Sequence, residues 1–259
     1  MSRFGNLEFG DESENQSHAE SPARTTDDVA CFESAQEAFA NGDFEVALRR
    51  YSKVLEFNPN NAAAWTGQVR MMIELGELRE ARLWADKALE RFPREAELLA
   101  AKGVALARSG DLQGAIAFSD TALEERGDTP YLWLARGDVL LARRERRADW
   151  CFDKALALAP NNWLVAWLAA RIRYFYQQFT LALRQVEQAL QWNPSNCVLW
   201  LLQGQCQQQI GWVSQAKVSF QHALELKPGW AEARTALMEA SQVGLTRRFQ
   251  GWWKKLFRQ

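Results

Sequence analysis

Five prolines, Pro59, Pro93, Pro160, Pro194 and Pro228, punctuate this chain in steps of 34, 67, 34 and 34 residues. The long step is one residue short of two periods. Gly42, Gly76 and Gly110 mark the same 34-residue spacing, each followed by an acid and a large apolar residue: GDF, GEL and GDL. Five residues beyond each glycine stands an alanine: Ala47, Ala81 and Ala115. A fixed period of this length constrains the fold more than any composition figure, because one supersecondary unit must be copied along the chain and stacked on its neighbours.

Each mark has a physical use. A glycine between two apolar, helically periodic segments supplies the positive φ that lets one helix stop and the next run back antiparallel to it. The alanine after it allows two helices to approach closely, where a larger side chain would hold them apart. Proline ends the second helix, and Asn or Ser after it, as in NPNN and NPSN, caps the helix that follows. Each unit is therefore expected to be a helical hairpin that buries its face only by stacking.

These residues resemble the tetratricopeptide repeat, a family of 34-residue helix-turn-helix units with Trp, Leu-Gly, Tyr, Ala, Phe and Pro at set places. The resemblance is clearest from Cys197, with Trp200, Gly204, Gly211, Ala216, Phe220, Ala223 and Pro228, and is good from Ala62, with Trp65, Gly76, Ala81, Ala88 and Pro93. The first unit keeps Gly42, Ala47, Tyr51 and Pro59 but has Cys31 and Ala35 for the Trp and Gly. The third keeps Gly103, Gly110, Ala115 and Ala122, with Gly127 replacing the proline. In the fourth, Trp133 and Gly137 fit, and a turn one residue short, ARRERR, is read as the cause of the 67-residue step. The fifth keeps Ala182, Ala189 and Pro194 but has Gln177 for the turn glycine. The resemblance implies an all-α, right-handed α-solenoid of about six repeats, near 28–61, 62–95, 96–129, 130–162, 163–196 and 197–230. Residues 231–243 are expected to form a cap helix with Ala236, Leu237, Ala240 and Val243 on one side.

The two ends differ from the repeats. Residues 1–27, rich in Ser, Glu, Asp and Asn, are expected to be a disordered acidic arm whose only sticky residues are Phe4, Leu7 and Phe9. Residues 244–259 carry five bases and no acid. Wound as a helix, they set Leu245, Phe249, Trp252, Trp253, Leu256 and Phe257 against Arg247, Arg248, Lys254, Lys255 and Arg258. That is the pattern of a helix lying in an anionic membrane interface. The run GWWKKLF also resembles the short C-terminal membrane-targeting helices of bacterial division proteins. A partner, packing onto the solenoid and disorder remain alternative fates. In a regular seventh unit, however, the small residue expected five places after Gly244 would be Phe249, too large for close packing.

No apolar run reaches the roughly 18 residues of a membrane span, since WLVAWLAA stops at Arg171, and no secretory signal is expected, because MSRFGNLEFGDESENQ has no apolar core. Cys31, Cys151, Cys197 and Cys206 lack metal or redox spacing and are expected to be buried thiols in a reducing cytoplasm. The two histidines, His18 and His222, have no nucleophile beside them, and no phosphate loop, metal cluster or convergent carboxylate pair is present. No catalytic residue, cofactor, metal, small-molecule substrate or nucleic-acid partner is expected, the last because the formal net charge is only −1.

Binding of a protein is the expectation that remains. The resemblance implies a concave groove lined by the first helix of each repeat: Phe32, Gln36, Phe39, Arg70, Ile73, Glu74, Arg108, Asp138, Trp167, Arg171, Tyr174, Gln205 and Gln208. Aromatic anchors and arginines suit an extended peptide or a helix, although Trp167 and Tyr174 have the spacing of residues that pack between repeats. The clamp by which some repeat domains hold chaperone tails is not expected, because its places hold Phe32, Gln36, Gly67, Glu97 and Ala101. The expected role is a cytoplasmic scaffold or adaptor, attached peripherally to a membrane by its tail, or else an assembly cofactor whose tail is only a cap.

Overall fold

The structure is a computed structural model that describes residues 22–125 and 128–242, with side chains from Asp28 onward. All regular structure in it is helical, and no strand occurs among the described residues. The helices alternate in pairs: α1 Pro22–Ala40 and α2 Phe44–Phe57, α3 Ala62–Glu74 and α4 Leu78–Arg91, α5 Ala96–Arg108 and α6 Leu112–Glu125. Then come α7 Pro130–Ala142 and α8 Ala148–Leu158, α9 Trp163–Phe175 and α10 Phe179–Trp192, and α11 Cys197–Ile210 and α12 Val213–Leu226. A further helix, α13, covers 231–242. The chain divides into two compact units, one reaching Asp128 with Ala142–Glu145 added, the other Thr129–Leu141 with Arg146 onward. Helix α1 starts at Pro22, inside the stretch read from sequence as a disordered arm. Residues 1–21 and the whole of the basic tail, Leu245 to Arg258 included, lie outside the described residues.

The turns form for the reasons the period implies. Gly42, Gly76, Gly110 and Gly211 have φ of +74°, +78°, +94° and +94°, the left-handed conformation that costs a Cβ-bearing residue roughly 1–2 kcal/mol. Around Gly42, its own N–H bonds the carbonyl of Phe39 at 3.0 Å and that of Asp43 bonds Ala38 at 2.9 Å, satisfying two carbonyls the helix end would otherwise leave open. Gln177 takes the same conformation, with φ +60° and the same pair of bonds, Gln177 to Tyr174 and Gln178 to Arg173. The fifth turn thus keeps its geometry without the glycine. Asn61, Asn162 and Asn196 cap α3, α9 and α11, their side-chain oxygens accepting from backbone N–H groups two or three residues on.

The recurrence of Trp and Pro also has a cause. Trp65 Nε1 donates to the carbonyl of Pro59 at 2.9 Å and Trp200 Nε1 to that of Pro194 at 2.7 Å, tying each first helix to the loop before it. Ala47, Ala81 and Ala115 are fully buried at helix contacts. Helix α13 buries Ala233 and Ala240 against Leu201, Phe220 and Ala223, with Ala236 and Leu237 partly covered.

The fourth hairpin corrects the sequence reading. Its turn is not short: five residues separate α7 from α8 where three separate α3 from α4, and α8 has 11 residues where α4 has 14. The residue missing from the 67-residue step therefore comes out of the second helix. Arg144, at φ +59°, supplies the left-handed residue of this longer loop. Of the four cysteines, none of them in a disulfide, only Cys151 and Cys206 are buried, and Cys31 and Cys197 are half-exposed.

Candidate functional site

In the first unit, α1 presents Gln36 to solvent and holds Phe32 half-buried, its ring edge-on to Tyr51 at 5.7 Å. Phe39 and Ile73, expected to line a groove, are instead buried. Phe39 packs its ring 6.2 Å from that of Phe44, and the guanidinium of Arg70 lies 5.1 Å over it. What faces outward is therefore the arginine stacked on the aromatic, together with the half-exposed Glu74 and Arg108.

The second unit repeats this pattern. Trp167 is 1% exposed and belongs to the core, so the reading of this residue as packing wins over groove exposure. Its apolar surface is worth more inside than at a wet rim. Arg171, one helical turn on, is half-exposed, with its guanidinium 5.2 Å over the Trp167 ring. Such stacking holds the planar donor fork in place before a ligand arrives. Asp138 also leaves the expected groove: it is 1% exposed and accepts a 2.7 Å hydrogen bond from the hydroxyl of Tyr176, which makes a buried carboxylate tolerable.

Tyr174 is half-buried, edge-on to Phe179 at 5.3 Å. Burial holds its hydroxyl above the ordinary tyrosine range, and a hydrogen bond with Gln209 works the other way. Gln205 and Gln208 are half-exposed on α11, and Gln205 Nε2 lies 3.4 Å from Glu232 Oε1 of α13. Two residues of this surface escaped the sequence reading. Phe175 is exposed, its ring edge-on to Tyr176 at 4.9 Å. It occupies the register place of Glu74 and Arg108, so the period would have pointed to it. Glu232 was hidden by the reading of α13 as a plain cap.

Four of the thirteen expected residues, Phe39, Ile73, Asp138 and Trp167, are thus structural, and the other nine are at least partly exposed. Among the described residues no group of His, Cys, Asp and Glu could hold a metal ion. No helix among them is long and apolar enough to cross a membrane.

Comparison with known proteins agrees with this architecture. Tetratricopeptide-repeat profiles match residues 38–105 and 198–229. Wheat (Triticum aestivum) Hsp70-Hsp90 organizing protein is 23% identical over 214 residues, covering 78% of this chain and 36% of that protein. Bovine (Bos taurus) BBSome complex member BBS4 is 23% identical over 186 residues, covering 71% and 36%. The chain spans about a third of the length of these curated relatives. A thermophilic tetratricopeptide-repeat protein of Thermus thermophilus superposes with a TM-score of 0.50 at 16% identity, over 83% of this chain and 99% of that one. With its left-handed turn residues, its asparagine caps and its tryptophans tied to proline carbonyls, the chain carries tetratricopeptide repeats over residues 38–105 and 198–229 and has the all-α fold of a tetratricopeptide-repeat solenoid.

Proposed function

We propose that this protein is a non-catalytic scaffold or adaptor that captures an extended segment or a helix of a partner protein on the first helices of its hairpins. The observation that carries this reading is Arg171, half-exposed and stacked on a buried tryptophan, with Tyr174 and the exposed Phe175 on the same helix. A guanidinium already ordered loses little entropy on pairing a carboxylate, and an exposed ring beside it supplies an apolar anchor. The organizing-protein and BBSome relatives carry names of assembly factors, which fits the same role. Chaperone-tail capture is not part of the proposal, because the clamp places hold Phe32, Gln36, Gly67, Glu97 and Ala101. The test is capture by the full chain against Arg171→Glu and Phe175→Ala, with Arg184→Glu on the second helix α10 as control. Capture that survives both α9 changes would show that this surface is not the site. Trp167→Ala is a poor probe, since emptying so buried a site costs about 3–5 kcal/mol.

The tail belongs to the same proposal, as a peripheral anchor on the cytoplasmic face of an anionic membrane. One feature of α13 supports it. In α11, Gly204 lets the ring of Phe220 nest so closely that an added Cβ would stand 2.5 Å from it. Thirty-four residues on, the same place in α13 is Met238, 57% exposed. A methionine there blocks a following helix rich in large rings from nesting as α12 does, which favours lipid over a seventh hairpin. Flotation with anionic vesicles tests it: Trp252→Glu with Trp253→Glu should abolish recovery. If unaltered full-length protein stays behind, the tail is a cap and the protein an assembly cofactor.

A further inference from the structure

The outer edge of α2 is open. At the place where α4, α10 and α12 bury Trp84, Gln185 and Ser219, α2 has Arg50, which is exposed. Along the same stripe run Val46 and Phe57, 36% and 37% exposed, and Lys53, whose ammonium lies 5.8 Å from the Phe57 ring. At 100° per residue, Val46, Lys53 and Phe57 fall within about 60° of Arg50, while Glu45 and Glu56 lie about 120–140° away. The stripe is therefore cationic and apolar together, with the helix's own acids turned elsewhere.

The segment that precedes α1 has the complementary chemistry. Residues 1–21 contain Phe4, Leu7 and Phe9, the five acids Glu8, Asp11, Glu12, Glu14 and Glu20, and one base, Arg3. It enters from the right end: Asn58 Nδ2 donates to Asp28 Oδ2 at 3.0 Å, so the second turn of α1 lies beside the end of α2 that carries Phe57. Helix α2 is about 21 Å long at 1.5 Å per residue, whereas 21 residues reach about 70 Å when extended. Length does not limit contact along the whole stripe. Direct attachment to α1 also gives the segment an effective concentration near millimolar, so weak contacts suffice.

We propose that residues 4–14 dock along this edge of α2, with Phe4, Leu7 and Phe9 against Val46 and Phe57 and the carboxylates of residues 8–14 facing Arg50 and Lys53. The acidic arm then covers α2 at the place where α4 buries Trp84 against Trp65 of its own hairpin.

Zero-length carbodiimide coupling of the full-length protein tests this, because it joins Lys53 Nζ to a carboxylate only on contact. A mixture of equal parts unlabelled and nitrogen-15 protein separates contact within a chain from contact between chains. The expected product links Lys53 to a residue within 8–14, inside one chain, at several times the yield of links from Lys217. Arg50→Glu should lower that yield about fivefold, the factor for an exposed ion pair of about 1 kcal/mol. Phe4→Ala with Phe9→Ala should lower it too. Mixed-isotope links, arm links that favour Lys254 or Lys255, or a Lys53 yield indifferent to Arg50→Glu would each overturn the proposal.

Discussion

Among the glycines of the second unit, Gly204 leaves an added Cβ the least room, and this yields a sharp test. A Cβ at Gly204 would meet Phe220 Cε1 at 2.5 Å and Cδ1 at 2.6 Å, where carbon pairs prefer about 3.5–4.0 Å. Phe220 is fully buried and touches α13 as well, so its ring has nowhere to retreat. Overpacking of this kind costs about 1–3 kcal/mol. Alanine is also better than glycine inside a helix by about 1 kcal/mol, so Gly204→Ala alone should show a net loss of only about 1 kcal/mol. The diagnostic quantity is the coupling. In a Phe220→Leu background the ring is gone and the same change should stabilise by up to about 1 kcal/mol, a coupling energy near 2 kcal/mol. Urea unfolding followed by helical circular dichroism measures the four proteins, with slopes expected to match. Additivity within about 0.5 kcal/mol would refute the claim that glycine is there to admit the ring.

Two further outcomes follow from the turns and the thiols. Gln177→Gly should stabilise by about 1 kcal/mol in the same urea assay, since it removes the strain of a left-handed glutamine and keeps both turn hydrogen bonds; a destabilised variant would mean the side chain holds the turn. Burial pushes the thiols of Cys206 and Cys151 up to about 12 and about 11, the nearby Arg136 lowering Cys151 only in part. Their folded pKa values exceed the unfolded ones, so their contribution to stability is intact below about pH 9 and fades as pH rises toward those values. At pH 8, iodoacetamide should accordingly label Cys31 and Cys197 well before Cys151 and Cys206.

Much of the fold was legible because the repeat's local rules have local causes. A glycine is needed where φ is positive, an asparagine where N–H groups are open, an alanine where backbones meet, and each lies in the short window that a period exposes. The site was less legible because exposure is decided by neighbours distant in sequence. Phe39 shares its register place with the half-exposed Tyr174 and Gln208, and Trp167 shares its place with the half-exposed Phe32, yet each lies beneath an arginine, Arg70 and Arg171, that takes the outer position. Asp138 reads as a groove acid until Tyr176, 38 residues on, closes over it. Met238 reads as cap filler until its place is compared with Gly204.

Arg173 was invisible to pattern reasoning for the same reason, and it makes an exposed residue matter. Its side chain is only 5% exposed, its guanidinium lies 4.5 Å over Phe152, and it donates to Gln178 Oε1 and to Asp149 Oδ1 at 2.8 Å each. Asp149, on the shortened α8, is 60% exposed. Surface substitutions usually change stability by less than about 0.5 kcal/mol, and an exposed ion pair is worth about as little. Here the two partners are unequal. Loss of Asp149 leaves a buried guanidinium with one neutral partner, and a buried charge stripped of its counter-charge costs more than the pair contributed. Water at the open side of Asp149 recovers part of that cost, so Asp149→Ala should destabilise by about 1–2 kcal/mol, whereas Asp153→Ala on the same helix should stay within about 0.5 kcal/mol. Asp149→Asn, which keeps an acceptor oxygen, should recover roughly half the loss. If the Asp149 and Asp153 variants unfold at the same urea concentration, the contact is a surface pair of no consequence, and Phe152 alone must hold Arg173 in the core.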